Sequence, residues 1–146
     1  MGSTPASSSQ PDPRELAAIT VELFVPDVEA SVRFYTEKLG FDLIRLERET
    51  IDGRERATFA IVGLGNAVMM LAHESLYVRG GEGRATPRGV GIDTRIVVDD
   101  VDAMYRRATD NGVTIVHDIG DRPYGLRDFI ICDPDGFRLR FAAPVS

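Results

Sequence analysis

The chain has 146 residues, 43% of them hydrophobic and 27% charged, with 17 Lys and Arg against 23 Asp and Glu for a net charge of −6. That length and balance fit one globular domain with its own core. The acidic excess argues against a nucleic-acid surface, which needs clustered Lys and Arg, and no apolar run approaches the roughly 20 residues of a membrane span.

Residues 1–15, rich in Ser, Pro and Gly, read as a disordered tail, and residues 16–146 as a single domain. The tail has no basic stretch leading into an apolar one, so no signal peptide is expected. Cys132 is the lone cysteine and cannot form an internal disulfide, which fits a cytoplasmic location. Its setting, Ile130-Ile131-Cys132-Asp133, reads as an inert thiol at a buried strand end.

The first strand is expected over 18–25, where β-branched residues alternate. Asp27 is placed to cap a helix over 28–39, with Val28, Val32, Tyr35 and Leu39 on one face and Gly40 as the stop. Strands are expected over 41–47, 56–62 and 67–73, with Asp52-Gly53 as a hairpin turn. Residues 75–90, glycine-rich, read as a linker. The pattern then restarts: a strand over 91–98, an Asp99-Asp100 cap, a helix burying Val101, Met104, Tyr105 and Ala108, and a stop at Asn111-Gly112. Strands over 113–117, 127–132 and 137–142 follow, the last two joined by Asp133-Pro134-Asp135-Gly136.

Strand, helix and three strands thus occur twice, as module one (18–74) and module two (91–143). The expected fold class is α+β: two βαβββ modules forming an eight-stranded, cavity-enclosing sheet with the helices on the outside. Alternation places Ile19, Val21, Leu23 and Val25, and in module two Ile92, Thr94, Ile96 and Val98, against the helices. The opposite face then carries Glu22, Phe24, Val68, Met70, Asp93, Arg95, Val97, Arg138 and Arg140. Tyr124, in Arg122-Pro123-Tyr124-Gly125, either lies over the cavity mouth or closes a hydrophobic edge. Tyr77 has a similar standing. His73 and His117 sit at strand ends and read as structural or surface residues, with His73 and Glu74 a remote candidate pair at the rim.

The stretches "VPDVEASVRFYTEKLGF" (25–41) and "DRPYGLRDFIICDPDGFRLRF" (121–141) resemble the vicinal oxygen chelate superfamily of glyoxalases, bleomycin-resistance proteins and extradiol dioxygenases. The resemblance covers the chain after its tail. It implies the glyoxalase-like fold and a homodimer, and it implies one metal ligand, usually His, Glu or Gln, on the first and last strand of each module. Counted from Asp27, Asp100 and Gly136, those positions fall on Thr20, Met70, Asp93 and Arg140; a register shifted by two would bring Glu22 into the first position and still leave Met70 and Arg140 against a metal. Asp93 alone is an ordinary ligand for a hard divalent ion, and a permanent guanidinium repels one.

The sequence therefore points to a metal-independent small-molecule-binding protein that sequesters a polar or aromatic metabolite or antibiotic, with no cofactor and no nucleic-acid or membrane partner. Candidate ligand contacts are Glu22, Phe24, Met70, Asp93, Arg95, Tyr124 and Arg140. Arg140 in place of a ligand carboxylate suggests an organic anion, while Glu22 and Asp93 can hold an amine. Two alternatives stay open. One is an enzyme of the superfamily (lyase, isomerase or dioxygenase), with a non-standard metal site or metal-free acid/base chemistry at Glu22 or Asp93. The other is an inert module whose Asp93–Arg140 or Glu22–Arg95 ion pairs fill the barrel.

Overall fold

The computed structural model describes residues 17–76 and 88–146. Module one runs β1 (Val21–Val25), α1 (Val28–Arg33), β2 (Asp42–Ile51), β3 (Arg54–Leu64) and β4 (Ala67–His73). Module two runs β5 (Thr94–Val97), α2 (Val101–Asp110), β6 (Thr114–Asp121), β7 (Leu126–Cys132) and β8 (Arg138–Pro144). The strands form two sheets of four, ordered β1-β4-β3-β2 and β5-β8-β7-β6. In each sheet the first strand pairs parallel to the last, and the other three form an antiparallel meander. This is the α+β pair of βαβββ modules that the repeat implies.

Local chemistry accounts for the element ends. The Ala30 and Ala103 N–H groups donate to the Asp27 and Asp100 carboxylates at 3.0 and 2.9 Å, so both helices carry the expected side-chain caps. After Arg33 the first helix widens into a π turn, Phe34–Lys38, instead of running on as an α-helix. Through that turn Phe34 and Tyr35, adjacent in sequence, are both buried. Asp52 and Gly53 adopt φ of 53° and 76°, the left-handed pair that a two-residue hairpin demands.

Strand extents depart from the expected ranges where pairing overrides composition. The ladder between β1 and β4 opens at Val21↔Met69, and that between β5 and β8 at Thr94↔Leu139. The residues before them have no neighbouring strand, so Ile19 and Ile92 are 86% and 62% exposed where alternation put them in the core. Conversely, β2 and β3 stay paired, through two register shifts, out to Ile51↔Arg54 beside the turn, and β6 runs through two irregularities as far as Asp121.

One apolar core joins the modules through their helix-bearing sides. Leu23, Val25, Tyr35, Leu39 and Leu71 pack in the same cluster as Ile96, Met104, Phe129 and Phe141. The Phe41 ring meets Phe141 edge-on at 6.5 Å. A polar latch crosses the same boundary. The buried Tyr35 hydroxyl donates to Asp133 Oδ2 at 2.7 Å, while Asp133 Oδ1 accepts the N–H groups of Asp135 and Phe137, each at 2.9 Å. Burial, then the neighbouring Asp133 charge, pushes the Tyr35 phenol well above its usual range and keeps it a donor. Burial raises Asp133 as well, against the pull of its three donors.

Candidate functional site

The sheet face away from α2 carries a charged cluster. Arg95 on β5 and Arg140 on β8 are directly paired neighbours, two like charges side by side. Carboxylates offset Arg140. Arg140 donates to Asp93 Oδ2 and to Asp128 Oδ2, both at 3.1 Å, and to the Tyr124 hydroxyl at 3.3 Å. Arg122 donates to Asp128 Oδ1 at 2.7 Å, and the Tyr124 hydroxyl donates to Asp128 Oδ2 at 2.7 Å. The Asp128 side chain is 0% exposed. Burial alone would raise its pKa, but the bonds from Arg122, Tyr124 and Arg140 outweigh burial and hold it below the ordinary carboxylate value. The Arg95 guanidinium stands 6.0 Å above the Tyr124 ring, which is 56% exposed. At that exposure the Tyr124 ring does not close a hydrophobic edge. It is an exposed platform tied down by its hydroxyl.

The face of module one away from α1 is mostly apolar. Phe59, Ile61, Met70 and Ala72 form a buried cluster with half-buried Phe24 packed against it. The cross-strand rows are Glu22–Met70–Ile61–Arg45 and Phe24–Ala72–Phe59–Glu47. Arg45 and Glu47 pair with each other at the outer strand. Glu22, half-buried on the edge strand, has its Oε2 buried with no hydrogen-bond partner, and burial raises its pKa. Two of the expected site groups thus lie on separate sheets. Glu22, Phe24 and Met70 gather on module one, and Asp93, Arg95, Tyr124 and Arg140 gather on module two. Of the two ion pairs considered from sequence, Asp93–Arg140 forms. Glu22–Arg95 does not, since that buried oxygen is unpartnered and the Arg95 guanidinium lies over Tyr124.

The remaining candidates are placed as follows. His73 is 7% exposed, its Nδ1 accepting the Ser75 N–H at 3.1 Å. Glu74 pairs with Arg88, which also donates to the Phe24 carbonyl at 2.9 Å. His117 is exposed. Cys132 is half-buried, less enclosed than expected, and burial raises its thiol pKa. Tyr77 and the tail lie outside the described residues. No described helix is long and apolar enough to cross a membrane.

A family model for the Glyoxalase/Bleomycin resistance protein/Dioxygenase superfamily matches residues 17–141. The chain belongs to that superfamily. An uncharacterised Mycobacterium bovis protein is 28% identical over 132 residues, covering 88% of this chain and 84% of its own. The crystal structure of TioX from Micromonospora sp. ML1 superposes with a TM-score of 0.66 at 23% identity, covering 89% of this chain and 98% of that one. A superfamily member from Sphaerobacter thermophilus DSM 20745 superposes at 0.61 with 26% identity, covering 87% and 98%.

The superfamily's metal positions can be tested against this geometry. The Thr20 hydroxyl faces the Ala17 carbonyl at 3.4 Å, Met70 is packed in the apolar cluster, and Arg140 holds Asp93 in an ion pair. A divalent ion there would have to displace a guanidinium from the one carboxylate of the set. The four residues do not fit a metal. Among the described residues no three His, Cys, Asp or Glu side chains form a metal-sized group either.

The residue most missed from sequence is Asp128, the acceptor that organises module two's face. A signal existed: in Arg127-Asp128-Phe129-Ile130 a carboxylate interrupts an apolar strand, and alternation puts it on the face of Ile130, whose cross-strand partner is Arg140. Arg122 was read only as part of the loop that presents Tyr124, yet it fixes that loop by donating to Asp128.

Proposed function

We propose that this protein is a metal-independent small-molecule-binding member of the superfamily, sequestering a polar or aromatic metabolite or antibiotic inside the cell. The observation that carries this reading is the Asp93–Arg140 ion pair at 3.1 Å, which commits two of the four metal positions to each other. Fixed charges on module two and an apolar shelf on module one are what an organic ligand with polar substituents requires. The lone cysteine supports the intracellular setting.

The working form in this proposal is a homodimer. Each chain presents half of the candidate site on each of two sheets, and exposed apolar side chains lie on both, Val68 at 46% and Val97 at 65%. A second copy can cover them. Protein purified without chelator is expected to contain no stoichiometric zinc, iron, nickel or manganese by elemental analysis, while light scattering on the same sample returns twice the 16.0 kDa chain mass. One equivalent of any of these metals would sink the binding reading.

An acid/base enzyme is the second reading, and Glu22, whose Oε2 is buried without a hydrogen-bond partner, favours it. Burial raises the Glu22 pKa above its ordinary value, which makes it a better proton acceptor than an exposed carboxylate. Turnover lost in Glu22→Gln with ligand binding retained would select this reading over sequestration.

A further inference from the structure

Arg140 and Glu22, two of the charged groups on which a ligand could be held, differ in one respect: one is spent and the other is not. Both terminal nitrogens of Arg140 are engaged, Nη1 by Asp128 and Tyr124 and Nη2 by Asp93. Asp128 in turn is saturated by Arg122, Tyr124 and Arg140. An incoming carboxylate or phosphate would have to break ion pairs whose shared member is fully buried. Glu22 is in the opposite state. Its Oε2 is shut off from water and accepts nothing, which is costly for a carboxylate unless something supplies a donor.

The surroundings of Glu22 do not supply one from within module one. Its row continues through Met70 and Ile61 before reaching Arg45, and three strand spacings of roughly 4.8 Å separate the two. Arg45 is moreover bound to Glu47. Arg88, a described cation that reaches β1, is held by Glu74 and by the Phe24 carbonyl. Next to Glu22 stand half-buried Phe24, exposed Val68 and the edge of the buried cluster at Met70. A carboxylate acceptor beside an aromatic ring and aliphatic side chains matches one ligand chemistry.

We infer that the ligand is an apolar or aromatic molecule bearing an amine or another N–H donor, that Glu22 receives this donor, and that Phe24 and Val68 support its apolar body. This rests on the small-molecule reading above and narrows it. Of the two ligand chemistries the sequence suggests, it takes the amine at Glu22 over the organic anion at Arg140, because that arginine is already paired inside the fold. Arg140 acts as a positioning residue that keeps Asp128 and Tyr124 in place.

The test uses the full chain, isotopically labelled, with two probes that share a ring and a short chain: phenethylamine and 3-phenylpropionate. Phenethylamine is expected to shift the amide resonances of Glu22, Phe24 and Val68 and to bind about tenfold more tightly than 3-phenylpropionate, the scale of one charge-assisted hydrogen bond. In Glu22→Gln that preference is expected to fall to about twofold or less. The variant keeps the shape of the side chain and removes an unpartnered buried charge, so its amide spectrum should remain that of the folded protein. Unchanged preference in Glu22→Gln, or preference for 3-phenylpropionate in the native chain, overturns the inference while leaving a binding protein. Saturating amounts of both probes that shift none of these resonances overturn it together with the binding reading.

Discussion

Asp133→Ala is expected to destabilise the protein by about 3–4 kcal/mol, because each buried donor left without its acceptor costs on the order of 1–3 kcal/mol. Three donors lose their acceptor at once: the Tyr35 hydroxyl, and the N–H groups of Asp135 and Phe137. The site has little access to water, with Tyr35 0% and Asp133 4% exposed. The measurement is a urea transition, read as a lower midpoint at unchanged slope. Tyr35→Phe is the matching control. It removes one donor and leaves both backbone bonds, so its cost should be about 1.5–2 kcal/mol, within the range for a bond to a charged group. A loss below 1 kcal/mol for Asp133→Ala would show that water or a shift of the turn replaces the carboxylate, and that the latch does not hold the modules together.

The second large effect is expected at Asp128. Asp128→Ala leaves the Arg122 and Arg140 guanidinium groups without their shared anion and Tyr124 without its acceptor. Removing one member of a buried ion pair costs about 3–5 kcal/mol, and because both arginine side chains keep 19% exposure the expected value is near 3 kcal/mol. The pH dependence has a definite sign. Asp128 is held below its unfolded value of about 3.9, so its contribution is fully present above that value and is lost as pH falls through the folded one. The stability gap between the native chain and Asp128→Asn should therefore be constant from pH 8 to about 5 and close below about pH 4. A gap that persists undiminished at pH 2–3 would mean that the charge of Asp128 contributes nothing.

These residues also show where reading the sequence succeeds and where it stops. Helix starts were legible because capping is local: Asp27 and Asp100 each need only the amide three positions on. The hairpin at Asp52-Gly53 was legible for the same reason. Ile19 and Ile92 were not, because alternation buries a side chain only where a neighbouring strand continues beside it. At the site, alternation correctly put Glu22 and Phe24 on the face of Met70, and Arg95 on that of Arg140. The charge state of that face was not legible. Whether Arg140 is free or spent depends on Asp128, which reaches it from the neighbouring strand, and on the loop that brings Arg122 and Tyr124 to the same carboxylate. Pairings of that kind are decided by tertiary geometry and leave no periodicity in the chain.

The parallel edge strands carry a kinetic consequence. Val21 on β1 pairs with Met69, and Thr94 on β5 with Leu139, whereas each meander closes through short turns. Contacts far apart in sequence bear the larger closure entropy and form late. The strands that bring Glu22 and Arg95 to their places should dock after the rest of each sheet and detach before it, a low-energy opening of the kind that local unfolding draws on. Native-state hydrogen exchange should show the amides of Leu23 and Ile96 exchanging by a subglobal opening, well before those of Ile61 and Ile131. Equal protection at all four would show that each sheet opens as one unit. If the edges do open first, the molecule can admit a guest by loosening a single strand while both meanders and the shared core stay intact.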